Sequence, residues 1–114
     1  MRRYIRSTAW GGKEDRAPFS VKAWVEFGAT GTVTIRDSYN VIDITDNAAG
    51  DFTVNFQRAL QNTSYIVAGS ISANAFVRIQ SAGNKGTTSC RIQVINATGG
   101  GVDTTVNSVL FIGR

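Results

Sequence analysis

Residues 21–56 read VKAWVEFGATGTVTIRDSYNVIDITDNAAGDFTVNF, four short runs parted by small, glycine-bearing turns. Apolar side chains alternate at Phe19, Val21, Ala23, Val25 and Phe27, then at Val33 and Ile35, then at Phe52, Val54 and Phe56. A period of two places one set of side chains on one face of a strand. No segment keeps apolar residues at i, i+3, i+4 and i+7 as an amphipathic helix would. The stretch therefore predicts antiparallel β structure, with one face of each strand buried.

The same pattern extends outward from it. Strand candidates lie near 19–27, 32–37, 39–45, 51–58, 64–73, 75–81, 88–97 and 104–113. Turn signals separate them at Gly28–Gly31, Asp46–Gly50, Gln61–Asn62, Gly83–Gly86 and Gly99–Gly101. Seven or eight short strands at this spacing predict an antiparallel β-sandwich or a small barrel. Gly83-Asn84-Lys85-Gly86 reads as the clearest hairpin, because Asn and Gly tolerate the positive φ of a tight turn. Pro18 disfavours helix in the residue before it, which divides the chain into an N-terminal arm, 1–17, and a sandwich domain, 18–114.

Charge is unevenly spread. The net charge of the whole chain is +4. The arm holds Arg2, Arg3, Arg6, Lys13 and Arg16 against Glu14 and Asp15, while the rest of the chain is almost neutral. Nucleic-acid binders usually present a basic face with interleaved aromatics, and this body does not, so no nucleic-acid partner is expected. Arg2, Arg3 and Arg6, with Tyr4, Ile5 and Trp10 to bury, read instead as a docking arm. No apolar run approaches the roughly 20 residues of a membrane span, so no membrane insertion is expected. The arm also lacks the apolar core of a secretory signal.

Chemistry is sparse. The chain has no histidine, which removes Ser-His-Asp and Cys-His arrangements and the commonest metal ligand together. Cys90, the single cysteine, is in phase with Ile92 and Val94 and reads as a small core residue. Asp37, Asp43, Asp46, Asp51 and Asp103 sit where turns and strand ends ordinarily place aspartate. The glycine runs precede no helix and are not phosphate loops. No catalytic residue, metal or cofactor is expected.

Some strands are apolar on both faces. Ser64–Ile71 sets Tyr65, Val67 and Ile71 against Ile66 and Ala68, and Val109–Ile112 is apolar in both phases. The outer face of a lone sandwich is normally polar. The surplus is read as a subunit interface carried by Trp24, Ile66 and Phe111, with cover by loops or by the arm as the alternative. Trp24 is out of phase with Ala23 and Val25 and so belongs to the opposite face of the first strand.

Lys22-Ala-Trp-Val-Glu-Phe27, Gly28-Ala-Thr-Gly-Thr32, Ile35-Arg-Asp-Ser-Tyr-Asn-Val41, Ile44-Thr-Asp-Asn47, Gly50 and Asp51-Phe-Thr-Val-Asn-Phe56 together resemble a module of tailed-phage fibre and other virion proteins. Asn62-Thr-Ser-Tyr65 and the closing Val109–Gly113 fit the same module less strictly. Gln57–Gln61 departs from it, lacking a proline that often follows the strand. The order of strand, turn, Asn-x-x-Tyr and apolar strand is also similar to H-type lectins. The resemblance implies a non-enzymatic phage virion structural protein, a homotrimer docked by its arm to other virion proteins. One alternative is a lectin-like fibre tip that reads host surface glycans through Asn74, Phe76, Asn84 and Lys85. The other is a protein that decorates or cements the capsid.

Overall fold

The computed structural model describes residues 19–114. Among them, eight strands follow in order: β1 Ser20–Gly28, β2 Thr34–Tyr39, β3 Val41–Ala48, β4 Asp51–Phe56, β5 Ile66–Ile71, β6 Ala75–Arg78, β7 Ser89–Asn96 and β8 Asn107–Gly113. One 3₁₀ turn, Ala82–Asn84, precedes β7. The strands form two antiparallel sheets of four, ordered β2-β1-β8-β5 and β3-β4-β7-β6. Packed face to face they make a β-sandwich, the architecture expected from the alternation.

The core comes from the inward set of that alternation. Ala23, Val25 and Phe27 of β1 and Val109 and Phe111 of β8 face Phe52, Val54, Cys90, Ile92 and Val94 of the other sheet, all of them buried. Two ring pairs join the sheets edge to face: Phe27–Phe52, with centroids 5.1 Å apart, and Phe56–Phe111, also 5.1 Å. Such geometry adds about 0.5–1.5 kcal/mol per pair beyond the area buried. Tyr65 closes the second cluster, its ring 6.1 Å from Phe111 and its hydroxyl donating to the Gly86 carbonyl at 2.8 Å. The other end is sealed by a buried polar residue with no unmet needs. Asn107 Nδ2 donates to the carbonyls of Phe27 and Thr104, and its Oδ1 accepts from the Thr104 hydroxyl at 2.6 Å.

The chain changes sheets abruptly at Asn40, the one residue between β2 and β3. Asn40 has φ 56°, which a short polar side chain tolerates because it bonds locally. Its Nδ2 donates to the carbonyls of Lys22 and Arg58, its Oδ1 accepts from the Arg58 amide, and its own carbonyl accepts from the Gln57 amide. One side chain thus ties three segments at this corner.

The sequence reading needs three corrections here. Phe19, in phase with the core on paper, is 61 % exposed just before β1. Val21 is also exposed, because β1 slips register against β8 between Val21 and Ala23. A bulge adds one residue to the strand and so inverts the face of everything before it. Gly83–Gly86 is not a tight hairpin turn. The 3₁₀ turn carries the chain there, and neither glycine nor Asn84 has positive φ.

The β3–β4 hairpin does need its glycine. Gly50 has φ +64°, and a Cβ there would collide with the Val94 carbonyl oxygen and the Val102 nitrogen. Its amide donates to Asp103 Oδ1 at 2.9 Å and its carbonyl accepts from the Val94 amide at 2.8 Å. Gly50→Ala is expected to cost on the order of 2 kcal/mol or more, since left-handed strain alone accounts for about 1–2. A urea titration followed by tryptophan fluorescence would show it as a lowered midpoint with unchanged slope.

Candidate functional site

The two outer faces of the sandwich differ in kind. On the β3-β4-β7-β6 sheet the outward residues form a polar ladder. Asn55 Nδ2 donates to Asp43 Oδ1 at 2.7 Å and to the Thr45 hydroxyl at 3.0 Å, while Asn47 donates to the Thr53 hydroxyl at 2.9 Å. Arg91 grips Asp51 with two bonds, Nε to Oδ1 at 2.9 Å and Nη2 to Oδ2 at 2.6 Å. Arg78 donates to Gln93 Oε1, whose Nε2 in turn reaches Gln80. These side chains satisfy one another across the sheet, as a water-facing surface requires.

The outer face of the other sheet is built in cross-strand rows. Val21, Ile112 and Ile66 lie opposite one another on β1, β8 and β5. The next outward row is Tyr39, Trp24, Leu110 and Ala68, spanning all four strands. Only the third row, Asp37, Glu26, Ser108 and Ser70, turns polar. In the first two rows Ile66 is 65 % exposed, Tyr39 49 % and Val21 45 %. Small residues on β5, Ala68 and Ser70, leave a groove of about 550 Å³ beside Trp24 and Leu110. Contiguous apolar surface of this kind, bounded by a polar rim, is characteristic of an interaction site.

The face runs out to an edge that nothing guards. β5, IVAGSI, carries no charge and no proline, the devices that normally keep sheet edges from pairing. Its counterpart edge β2 holds Arg36 and Asp37, with Arg36 donating to the Thr105 carbonyl at 2.6 Å and lying 4.0 Å from Glu26.

Of the residues read as a subunit interface, Trp24 and Ile66 are on this face, Trp24 half-buried and Ile66 exposed. Phe111 is not. It points inward and is fully buried among Phe56 and Tyr65, so its neighbours Leu110 and Ile112 hold the outward positions on β8. Two-sided strands make the two phases look alike in sequence, and only the register separates them. Val21 and Tyr39 were missed for related reasons: a bulge re-aims the first, and the second precedes the Asn40 corner.

The residues read as a glycan contact are not brought together. Phe76 is 51 % exposed, opposite Ile95 at one end of β7, and Asn74 is exposed in the adjoining corner. Lys85 bridges to Cys90 near the other end of the strand. Five residues of β-strand put about 17 Å between those ends. Lys85 is also already engaged, its Nζ donating to the Tyr65 carbonyl at 2.9 Å and sitting 5.4 Å from that ring's centroid. Asn84 Oδ1 accepts from the Ser81 amide and holds the 3₁₀ turn. The proposed arm residues Arg2, Arg3, Tyr4, Ile5, Arg6 and Trp10 lie outside the described residues.

Cys90 is fully buried, and burial pushes its thiol above the usual range, against smaller opposing effects of Tyr65 and Lys85. A thiol held neutral is a poor nucleophile. Among the described residues, no group of three or more His, Cys, Asp or Glu side chains is placed to hold a metal ion. The chain matches no protein-family model, no curated protein and no solved structure.

The Arg91 guanidinium holds the Asp51 carboxyl below its ordinary range, outweighing the opposing effect of burial, with Asn47 assisting. A carboxyl depressed in the folded state stabilises above its unfolded pKa, and the contribution fades as pH falls through the folded value. The stability gap between the native protein and Asp51→Asn is therefore expected to be constant above about pH 5 and to narrow below about pH 4. Urea midpoints measured across that range would check it, and a gap that widens on acidification would contradict the assignment.

Proposed function

We propose that this protein is a non-enzymatic structural module of a bacteriophage virion, which assembles with copies of itself into a homotrimer through the outer face of the β2-β1-β8-β5 sheet. One observation carries the reading: two consecutive cross-strand rows on that face are apolar, whereas the opposite face of the sandwich satisfies its polar groups internally. An apolar face that stays wet is costly at about 25 cal/mol per Å², and a second copy is the partner always present at matching concentration. The resemblance of residues 22–56 to fibre modules supports the virion setting and the threefold count, and the basic arm supplies charge for docking to another virion component.

Ile66 tests the contact directly, because its exposure means that a polar replacement leaves the core untouched. In sedimentation velocity the native protein is expected to run as a trimer. Ile66→Asp should weaken association tenfold or more, since a fully buried aliphatic side chain contributes about 1.5–3 kcal/mol. A native protein that stays monomeric at high concentration would end the proposal.

The arm is tested separately. Deleting residues 1–16 should leave a folded oligomer that no longer enters particles. Incorporation at the native level would remove the arm's anchoring role and leave the face intact as the assembly surface.

A further inference from the structure

Beside the apolar face lies a cleft of different character. It has a volume of about 440 Å³, within the range of small-ligand sites, and its walls include Lys22, Arg58, Arg114, Tyr39, Gln61 and Leu60. Three cations meet there, and no acidic side chain lines it. The two ion pairs among the described residues, Arg36–Glu26 and Arg91–Asp51, use none of the three. Converging like charges cost free energy unless an anion joins them.

The walls are held in place rather than merely adjacent. Asn40, the one non-glycine residue with positive φ among those described, bonds the backbones of both Lys22 and Arg58. Left-handed backbone held this firmly tends to occur where geometry serves a ligand. Those bonds also restrict what the ligand can be. The Lys22 carbonyl and the Arg58 amide and carbonyl are occupied by Asn40, and the Asn40 carbonyl by the Gln57 amide. An extended acidic peptide would find little main chain with which to pair, and main-chain pairing is how strand-like peptides gain affinity. A compact ligand with its own hydroxyls and a single negative charge meets side chains only.

We propose that this cleft binds a carboxylated sugar. The Arg58 guanidinium takes the carboxylate through two parallel bonds, as its planar fork allows. Lys22 and Arg114 add charge at the same point. The half-exposed ring of Tyr39 receives the apolar face of the pyranose, and the Gln61 amide and Ser20 hydroxyl meet the ring hydroxyls. Every residue of the site comes from one chain, so it does not depend on the assembly proposed above. Val21 and Tyr39 belong to both the cleft and the apolar face, so the cleft opens at the rim of that face.

Calorimetric titration of the full chain decides the matter, using a uronic-acid oligosaccharide, its carboxyl-reduced counterpart, a sialyl oligosaccharide and an oligoglutamate peptide. At least one carboxylated sugar is expected to bind, which identifies the carboxylate source, and the carboxyl-reduced sugar should bind at least tenfold more weakly. Arg58→Gln and Lys22→Gln should each weaken binding about tenfold, the loss expected for one charge-assisted bond. Tyr39→Ala should weaken it as well. Arg58→Gln should leave the sedimentation of the protein unchanged, which separates failure of the cleft from failure of the assembly. Equal binding of the carboxyl-reduced sugar, or no binding by any carboxylated sugar, would overturn the proposal. So would oligoglutamate binding that is as tight and indifferent to Tyr39→Ala, which would mark an acidic-peptide site.

Discussion

The sandwich depends on aromatic rings that cross between its sheets. Phe27 against Phe52 and Phe56 against Phe111 fix the spacing and the lateral offset of the two layers at opposite ends of the core. Because those rings point inward, strand alternation sends Trp24, Leu110 and Ile112 outward on the same strands, and the apolar outer rows follow from the core's own register. A slip of one residue in β1 or β8 would exchange the two sets. Core and surface on this sheet are therefore one decision, not two.

The opposite sheet resolves the same constraint differently. Its inward residues, Phe52, Val54, Ile92 and Val94, alternate with Asp51, Thr53, Arg91 and Gln93, which can bond to one another across the strands. That sheet needs no partner. An assembly surface on one side and a self-sufficient surface on the other give the protein a direction, a useful property in a structural module. The two corners where the chain crosses between edge strands, at Asn40 and at Ser72–Asn74, are short, which leaves the broad faces free of covering loops on that path. The cleft arises at the first of these corners, where the bonds that make the turn also set the cationic walls.

Much of this was legible in the chain, and the rest was hidden for definite reasons. All eight strands were readable from alternation, and Cys90 from its phase with Ile92 and Val94. Trp24 and Ile66 could be placed on an outer face because each is out of phase with clear core neighbours. Phe111 was misread because Val109-Leu110-Phe111-Ile112 is apolar at every position, so period two carries no information there. Val21 depended on a bulge that composition does not signal. Lys85 was read as free, but a side chain with four methylenes reached back to Tyr65, a contact 20 residues away along the chain. The Asn40 corner did leave a trace, since Asn is the residue best suited to positive φ after glycine, yet its bonds to Lys22 and Arg58 run to segments 18 residues distant on either side.

The amino-acid order alone determined the class of structure: side-chain alternation, turn residues and the lack of any helical period admit only antiparallel sheets. It also ruled out histidine-dependent chemistry by composition. Tertiary structure decided which of two apolar phases is core, which outer face is greasy, and where cations converge. The reason is range. Periodicity is a property of neighbours along one strand, whereas register, bulges and clefts depend on which distant strands lie side by side.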